Sequence, residues 1–287
     1  MSRASLSLWQ SILAALFASL LLAACGSAPK VSEPALRKQA QETERDGARR
    51  YARGDYAGAA RHFAVASQLQ QSLDEPASVA RNQLHLARAE LALGQAEAAL
   101  QRAQRIAHEE LALDALLLQA QANLTLGKLA AAQANLAAAA TSCAANCPQA
   151  ASLNLLQARA ALADKRAADA LSHAGAALKL LHDKDEAAET GNAWRLIAAA
   201  RLATDDAAGA LPAALAALDI DRQLALPEKI ARDWLLIGDI RRKVGAGDTA
   251  PAYQRALDVA NAGGLTETAA AATQKLQEIN KTREVVR

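Results

Sequence analysis

Few side chains in this 287-residue sequence are placed to do chemistry. The five histidines, His62, His85, His108, His173 and His182, are scattered. His108-Glu109-Glu110 lacks the second histidine that a zinc-binding helix sets four residues after the first. No G-x-S-x-G elbow occurs, and Gly245-Ala246-Gly247 does not follow a strand, so neither a hydrolase nor a dinucleotide site is supported. Asp183-Lys184-Asp185-Glu186 reads as a charged loop rather than a cation site. The expectation is therefore no enzyme, no metal and no cofactor. Three thiols remain, Cys25, Cys143 and Cys147, and each needs a position in the chain before its chemistry can be stated.

Cys25 ends an apolar run. From Ile12 to Ala24 the only polar residue is Ser19, and Arg3 is the one formal charge before it. A transmembrane helix needs about 20 apolar residues, so this run is short for a span and suits the h-region of an export signal. Leu22-Ala23-Ala24-Cys25 resembles the lipobox of bacterial lipoproteins, whose cysteine is acylated, with palmitate among the chains, before the signal is cut away. The resemblance implies a signal peptide over 1–24 and lipidated Cys25 as the mature N-terminus, several acyl chains making a stable anchor. The alternative is an ordinary cleaved signal. Gly26 stands where such lipoproteins often carry an aspartate for inner-membrane retention, which leans toward the outer membrane, facing the periplasm. Residues 26–33, GSAPKVSE, span at most about 28 Å, and we read 25–34 as lipidated cysteine plus tether.

An oxidising address changes the reading of TSCAANCPQA. A pair of cysteines in an exported chain is more often a disulfide than a metal site, so Cys143 and Cys147 are expected to be bridged, two free thiols being the alternative. The residue before Pro148 is pushed out of helix, which makes this segment a break between helices. Basic and acidic residues nearly balance, 32 against 30, leaving no electrostatic footprint for nucleic acid.

The elements that must position these groups are helices. Aromatic and β-branched residues are sparse while Ala, Leu, Gln, Arg and Glu dominate. Self-comparison shows a recurring unit of helix end, polar turn and second helix: RRYARGDYAGAARHFAVASQL, ARAELALGQAEAALQRAQRI, AQANLTLGKLAAAQANLAAAA, ARAALADKRAADALSHAGAALKL, AARLATDDAAGALPAALAALDI and IRRKVGAGDTAPAYQRALDVA.

These units resemble tetratricopeptide repeats. The family's small residue late in helix A falls on Gly47, Ala87, Ala120, Ala158, Ala198 and Gly238. Its early helix B alanine falls on Ala59, Ala99, Ala132, Ala170 and Ala210, with Thr249 in the sixth unit. Its later alanine falls on Ala66, Ala139, Ala177, Ala217 and Ala256, with Ile106 departing. The turn glycine stands as Gly54, Gly94, Gly127 and Gly245 but is replaced by Lys165 and Asp205. The resemblance implies an all-α, right-handed superhelical solenoid of about six repeats over 35–262. The remaining 263–287 would form a capping helix, LTETAAAATQKLQEINKTRE, and a tail, with Thr266 as N-cap.

In that family helix A lines a concave groove. The matching positions here are Arg81, Arg88, Asp114, Gln121, Arg159, Arg195, Arg232 and Asp239, beside Leu84, Leu117, Leu155 and Leu235. Arginine next to leucine suits a partner segment with apolar anchors and acidic groups, the bland alternative being arginines that solvate a helix face. The functional expectation is a membrane-anchored periplasmic adaptor for periplasmic or outer-membrane proteins, in cell-wall, outer-membrane or secretin and pilus assembly. No small-molecule substrate is evident. The alternative is an envelope enzyme or solute-binding lipoprotein that uses the repeats as support.

Overall fold

The computed structural model describes residues 34–143, 147–182, 184–245 and 249–285. Cys25, the expected signal segment over 1–24 and residues 26–33 lie outside them. Among the described residues there are thirteen α-helices and no strand. Twelve form six helix-turn-helix pairs: α1 (Ala35–Ala52) and α2 (Tyr56–Ser72), α3 (Pro76–Ala92) and α4 (Ala96–Gln104), α5 (Ala112–Thr125) and α6 (Leu129–Ser142), α7 (Ala150–Ala163) and α8 (Ala167–Leu181), α9 (Ala187–Ala203) and α10 (Ala207–Gln223), α11 (Pro227–Lys243) and α12 (Thr249–Ala262). α13 (Thr266–Val285) covers the last pair, and its Ala272 is buried in the same core as Ile237 and Ala256. Each helix packs on the next in sequence, giving the expected solenoid.

The turn inside each pair follows one rule. Gly54, Gly94, Gly127, Lys165, Asp205 and Gly245 all have positive φ, between 59° and 79°. In the first five of these turns the following residue donates its N–H to the carbonyl five residues back, as Asp55 does to Arg50 and Arg166 to Ala161, which satisfies an orphaned helix carbonyl. The two substitutions seen in sequence therefore keep the left-handed conformation with a side chain in place. Asp55 and Asp206 then cap α2 and α10 by accepting from the N–H of Gly58 and Gly209, each at 2.8 Å.

The small-residue rows are where the helices approach. Ala87, Ala120, Ala158 and Ala198 in the first helices, and Ala59, Ala99, Ala132, Ala170 and Ala210 in the second, are fully buried. At Gly47 a Cβ would stand 2.8 Å from the Phe63 ring, and at Gly238 it would overlap the Tyr253 ring. Ile106 departs from the alanine row for a simple reason. α4 ends at Gln104, so Ile106 lies past the helix, packing against the cluster of Leu84, Ala87, Ala99, Ala103 and Leu118. α13 begins at Thr266 itself, with the Leu265 carbonyl accepting from Ala269, so Leu265 rather than Thr266 holds the cap position.

Between α6 and α7 the chain is closed by a disulfide joining Cys143 to Cys147, whose Cα atoms are 5.3 Å apart. This is also the junction at which two consecutive helices pack least on one another.

Candidate functional site

The first helices of the pairs stand side by side, and one row along them decides how open the groove is. Glu44, Leu84, Leu117, Leu155, Arg195 and Leu235 occupy equivalent places. Leu84, Leu117 and Leu155 are 2, 6 and 7% exposed and belong to the core, so they are not the open apolar anchors that the sequence suggested. The next repeat covers them.

The two polar members of the row make the same connection with opposite charge. Glu44 of α1 accepts from Gln70 of α2 at 2.9 Å and from Asn82 of α3 at 3.1 Å. Arg195 of α9 donates through Nε to Asp233 of α11 at 2.6 Å and through its terminal nitrogen to Asp221 of α10, and it holds Asn192 at 2.9 Å. In both cases the partners lie 26 and 38 residues on. Arg195 is thus a joint between three helices rather than a partner-facing cation. Asp221 and Asp233 are fully buried, and Asp221 Oδ1 has no hydrogen-bond partner among the described residues. Burial pushes the Asp233 carboxyl up to about 7 and the Asp221 carboxylate adds to this, while Arg195 opposes it. Lys229 lies beside the cluster, its amine pushed down by burial and donating to the Ala188 carbonyl at 3.3 Å.

Asp239 is also engaged within the chain. It accepts from the Tyr253 hydroxyl at 2.7 Å and from Lys275 of α13 at 2.8 Å, fastening the capping helix. Arg88 pairs with Asp114 at 2.7 Å, and Gln149 reaches the other oxygen of Asp114 at 3.1 Å. Arg81 is exposed, Gln121 and Leu235 are half-buried, and Arg232 pairs with Glu228 at 2.7 Å on an exposed turn.

Arg159 of α7 is different. It is half-buried and has no hydrogen-bond or ion-pair partner among the described residues. Burial pushes its guanidinium pKa down, and the nearby Arg232 cation pushes it further. In the first repeat Tyr51 and Tyr56 form an edge-on pair with centroids 5.1 Å apart. Tyr51 keeps 36% of its surface exposed, and partial loss of solvent is the main push upward on both hydroxyl pKa values. Tyr56 and Glu189 of α9 add to that of Tyr51 while Arg88 opposes, and Glu228 of α11 adds to that of Tyr56. Arg159 and Arg232 are thus close enough for their charges to act on one another, and acidic groups of repeats five and six act on the tyrosines of repeat one. Sequence reading named Arg159 but missed Tyr51, Tyr56, Asp221 and Asp233. The last two were findable, because an arginine with aspartates one helix and one repeat further on is a pattern that the repeat length itself exposes.

A pocket of about 510 Å³ lies elsewhere, between the α2–α3 turn and the early end of α4, lined by Glu75, Gln83, Arg102 and His108 among others. Glu75 is held by Arg37 at 2.8 Å, and Arg102 by Glu90 at 2.6 Å and Gln83 at 2.5 Å. No group of three His, Cys, Asp or Glu side chains among the described residues is arranged to hold a metal ion. No helix among them is long and apolar enough to cross a membrane.

Stacked helix pairs, αL turns and small-residue rows define an all-helical solenoid of tetratricopeptide-like repeats. Solved structures share this fold. The apo form of RapI overlaps with a TM-score of 0.57 at 16% identity, covering 84% of this chain and 72% of that one. Aspartyl phosphate phosphatase F from Bacillus subtilis overlaps with a TM-score of 0.52 at 12% identity, covering 91% and 86%. The TPR2AB domain of yeast Sti1, in its complex with pHSP90, aligns more loosely, with a TM-score of 0.38 at 13% identity over 84% and 98%. No family model and no curated relative matches the chain.

Proposed function

We propose that this chain is a periplasmic lipoprotein, anchored through Cys25 to the outer membrane, whose solenoid holds an acidic segment of a protein partner and so acts as a scaffold in envelope assembly rather than as an enzyme. One observation carries the binding half of this reading. Arg159 is half withdrawn from water with a second cation nearby and no acid partner among the described residues, and such a charge is costly to leave uncompensated. A partner carboxylate reaching Arg159 supplies the missing counter-charge, and a guanidinium can hold it by two parallel hydrogen bonds. The lipobox-like Leu22-Ala23-Ala24-Cys25 supports the address. With RapI and the Bacillus phosphatase the chain shares a fold, and identities of 16 and 12% carry no activity across.

The experiment compares Arg159→Ala with the parent in photo-crosslinking from a probe at Gln121 in intact cells. Removing a guanidinium that pairs in a desolvated groove costs about 2 kcal/mol or more, roughly thirtyfold in capture. Stability should hold or rise, since the variant removes an unpaired buried charge. Unchanged capture of every partner overturns the groove reading. For the address, Cys25→Ser should move the protein out of the membrane pellet, and an unchanged pellet overturns the anchor. The pocket beside α4 favours a second reading, a solute-binding lipoprotein; there Arg159→Ala changes nothing while a solute retained by the parent is lost on substituting Arg105.

A further inference from the structure

The first helix of a solenoid has one face that no earlier repeat covers. On α1 the exposed residues Lys38, Glu42, Arg45 and Arg49 recur at helical spacing along that face, which runs on to the exposed Arg53 at the helix end. Glu42 is 3.8 Å from Lys38, and Arg49 pairs with Asp46. Arg45 and Arg53 have no ion-pair or hydrogen-bond partner among the described residues.

The face stands out against the charge of the rest of the chain. Residues 35–72 carry Arg37, Lys38, Arg45, Arg49, Arg50, Arg53 and Arg61 against Glu42, Glu44, Asp46 and Asp55, an excess of positive charge. Residues 73–287 hold slightly more acidic than basic groups, so the molecule is electrically lopsided, with its positive end at α1. That end is also the one joined to Cys25, through residues 26–33, which span at most about 28 Å.

We propose that the outer face of α1 docks on an anionic phospholipid surface. This rests on the lipoprotein reading for its proximity and on the charge of α1 for its chemistry. Beyond a Debye length of about 8 Å the attraction between exposed charges is screened, so the face acts only on close approach, and a tether of at most about 28 Å makes such approaches frequent. Each basic residue at an anionic surface is worth about fivefold in binding, so Lys38, Arg45, Arg49 and Arg53 together fix which end of the groove points away from the bilayer.

The test uses the full protein purified from its membrane, with a bimane label on Gln39→Cys, in phosphatidylcholine vesicles with or without phosphatidylglycerol and a headgroup-level nitroxide lipid as quencher. The expected result is at least twofold stronger quenching on the anionic vesicles. It should vanish in 0.5 M NaCl and in Arg45→Gln/Arg49→Gln/Arg53→Gln, whose melting temperature should match the parent. A label on Glu267→Cys in α13 should not respond. Equal quenching on both vesicles overturns the docking. Intact mass separates this from the anchor: if Cys25 carries no acyl chain, the lipoprotein reading fails, and docking is then read from sedimentation with anionic vesicles alone, where the triple variant should bind at least tenfold more weakly. Sedimentation that ignores phosphatidylglycerol, with an acidic protein captured through the same arginines, assigns the face to a protein and overturns the proposal.

Discussion

At the scale of single residues, two of the positions that carry a cost in the native state can be tested directly. Lys165 holds φ of 59° in a turn where four of the six repeats use glycine. An L-residue pays roughly 1 kcal/mol for that conformation, partly offset because glycine has more freedom to lose on folding. Lys165→Gly should therefore stabilise by about 0.5 kcal/mol or slightly more, read as a rise in denaturation midpoint with no change in slope. Asp233 is the second. Its carboxyl pKa is pushed up to about 7 by burial, against 3.8 for the free group. Between those values the folded chain binds a proton that the unfolded chain has lost, so this group's contribution to stability falls as pH rises from about 4 to 7 and is flat above. Asp233→Asn should flatten that slope, gaining on the parent at pH 8 relative to pH 5 in thermal melts. A parent curve without the slope would mean the Arg195, Asp221 and Asp233 cluster stays fully ionised. Neither cost was legible in sequence: the lysine is visible as a missing glycine but its φ is not, and the aspartates look solvated until the next repeat is placed over them.

At the scale of elements, sequence and structure agree where local spacing decides. The helices and turns were legible because three rows of mostly small residues keep phase with the turns, and most of these residues are fully buried where two helices approach. Gly238 shows how tight that contact is. Gly238→Ala puts a methyl into the Tyr253 ring, and overpacking of this kind costs about 1 to 3 kcal/mol. The same change should loosen the Tyr253 hydroxyl from Asp239 and with it Lys275 of α13, so hydrogen exchange in α13 should rise more than in α1. Unchanged exchange in α13 would show that the capping helix is held by its apolar face alone. The candidate groove was less legible, because whether a first-helix residue faces a partner or the next repeat depends on the angle between repeats. Leu84, Leu117, Leu155 and Arg195 fell on the repeat side of that line, and Arg159 on the open side. α4 ended early for a similar reason, since nothing in AEAALQRAQRIAHEEL marks Gln104 as the last helical residue.

At the scale of the whole molecule, every helix is stabilised mainly by its sequence neighbours, so the solenoid behaves as elements coupled in series. Native-state hydrogen exchange should then be graded, fastest in α1 and α13 and slowest in α9 to α11, where the largest buried cluster sits. Uniform exchange would argue for one indivisible unit. A series of couplings yields at its weakest member, and here that member is the α6–α7 junction, the one bridged by Cys143 and Cys147. The bridge closes too small a loop to contribute more than about 2 kcal/mol to folding through chain entropy. Its larger consequence is mechanical. Loaded end to end, the molecule is expected to part first at this least-packed junction, across which the disulfide holds Cys143 to Cys147, and Arg159 is carried by the helix immediately beyond it. Reduction should therefore raise hydrogen exchange in α6 and α7, at the junction, more than in the helices at either end, and equal exchange with and without reductant would show that the bridge bears no load there.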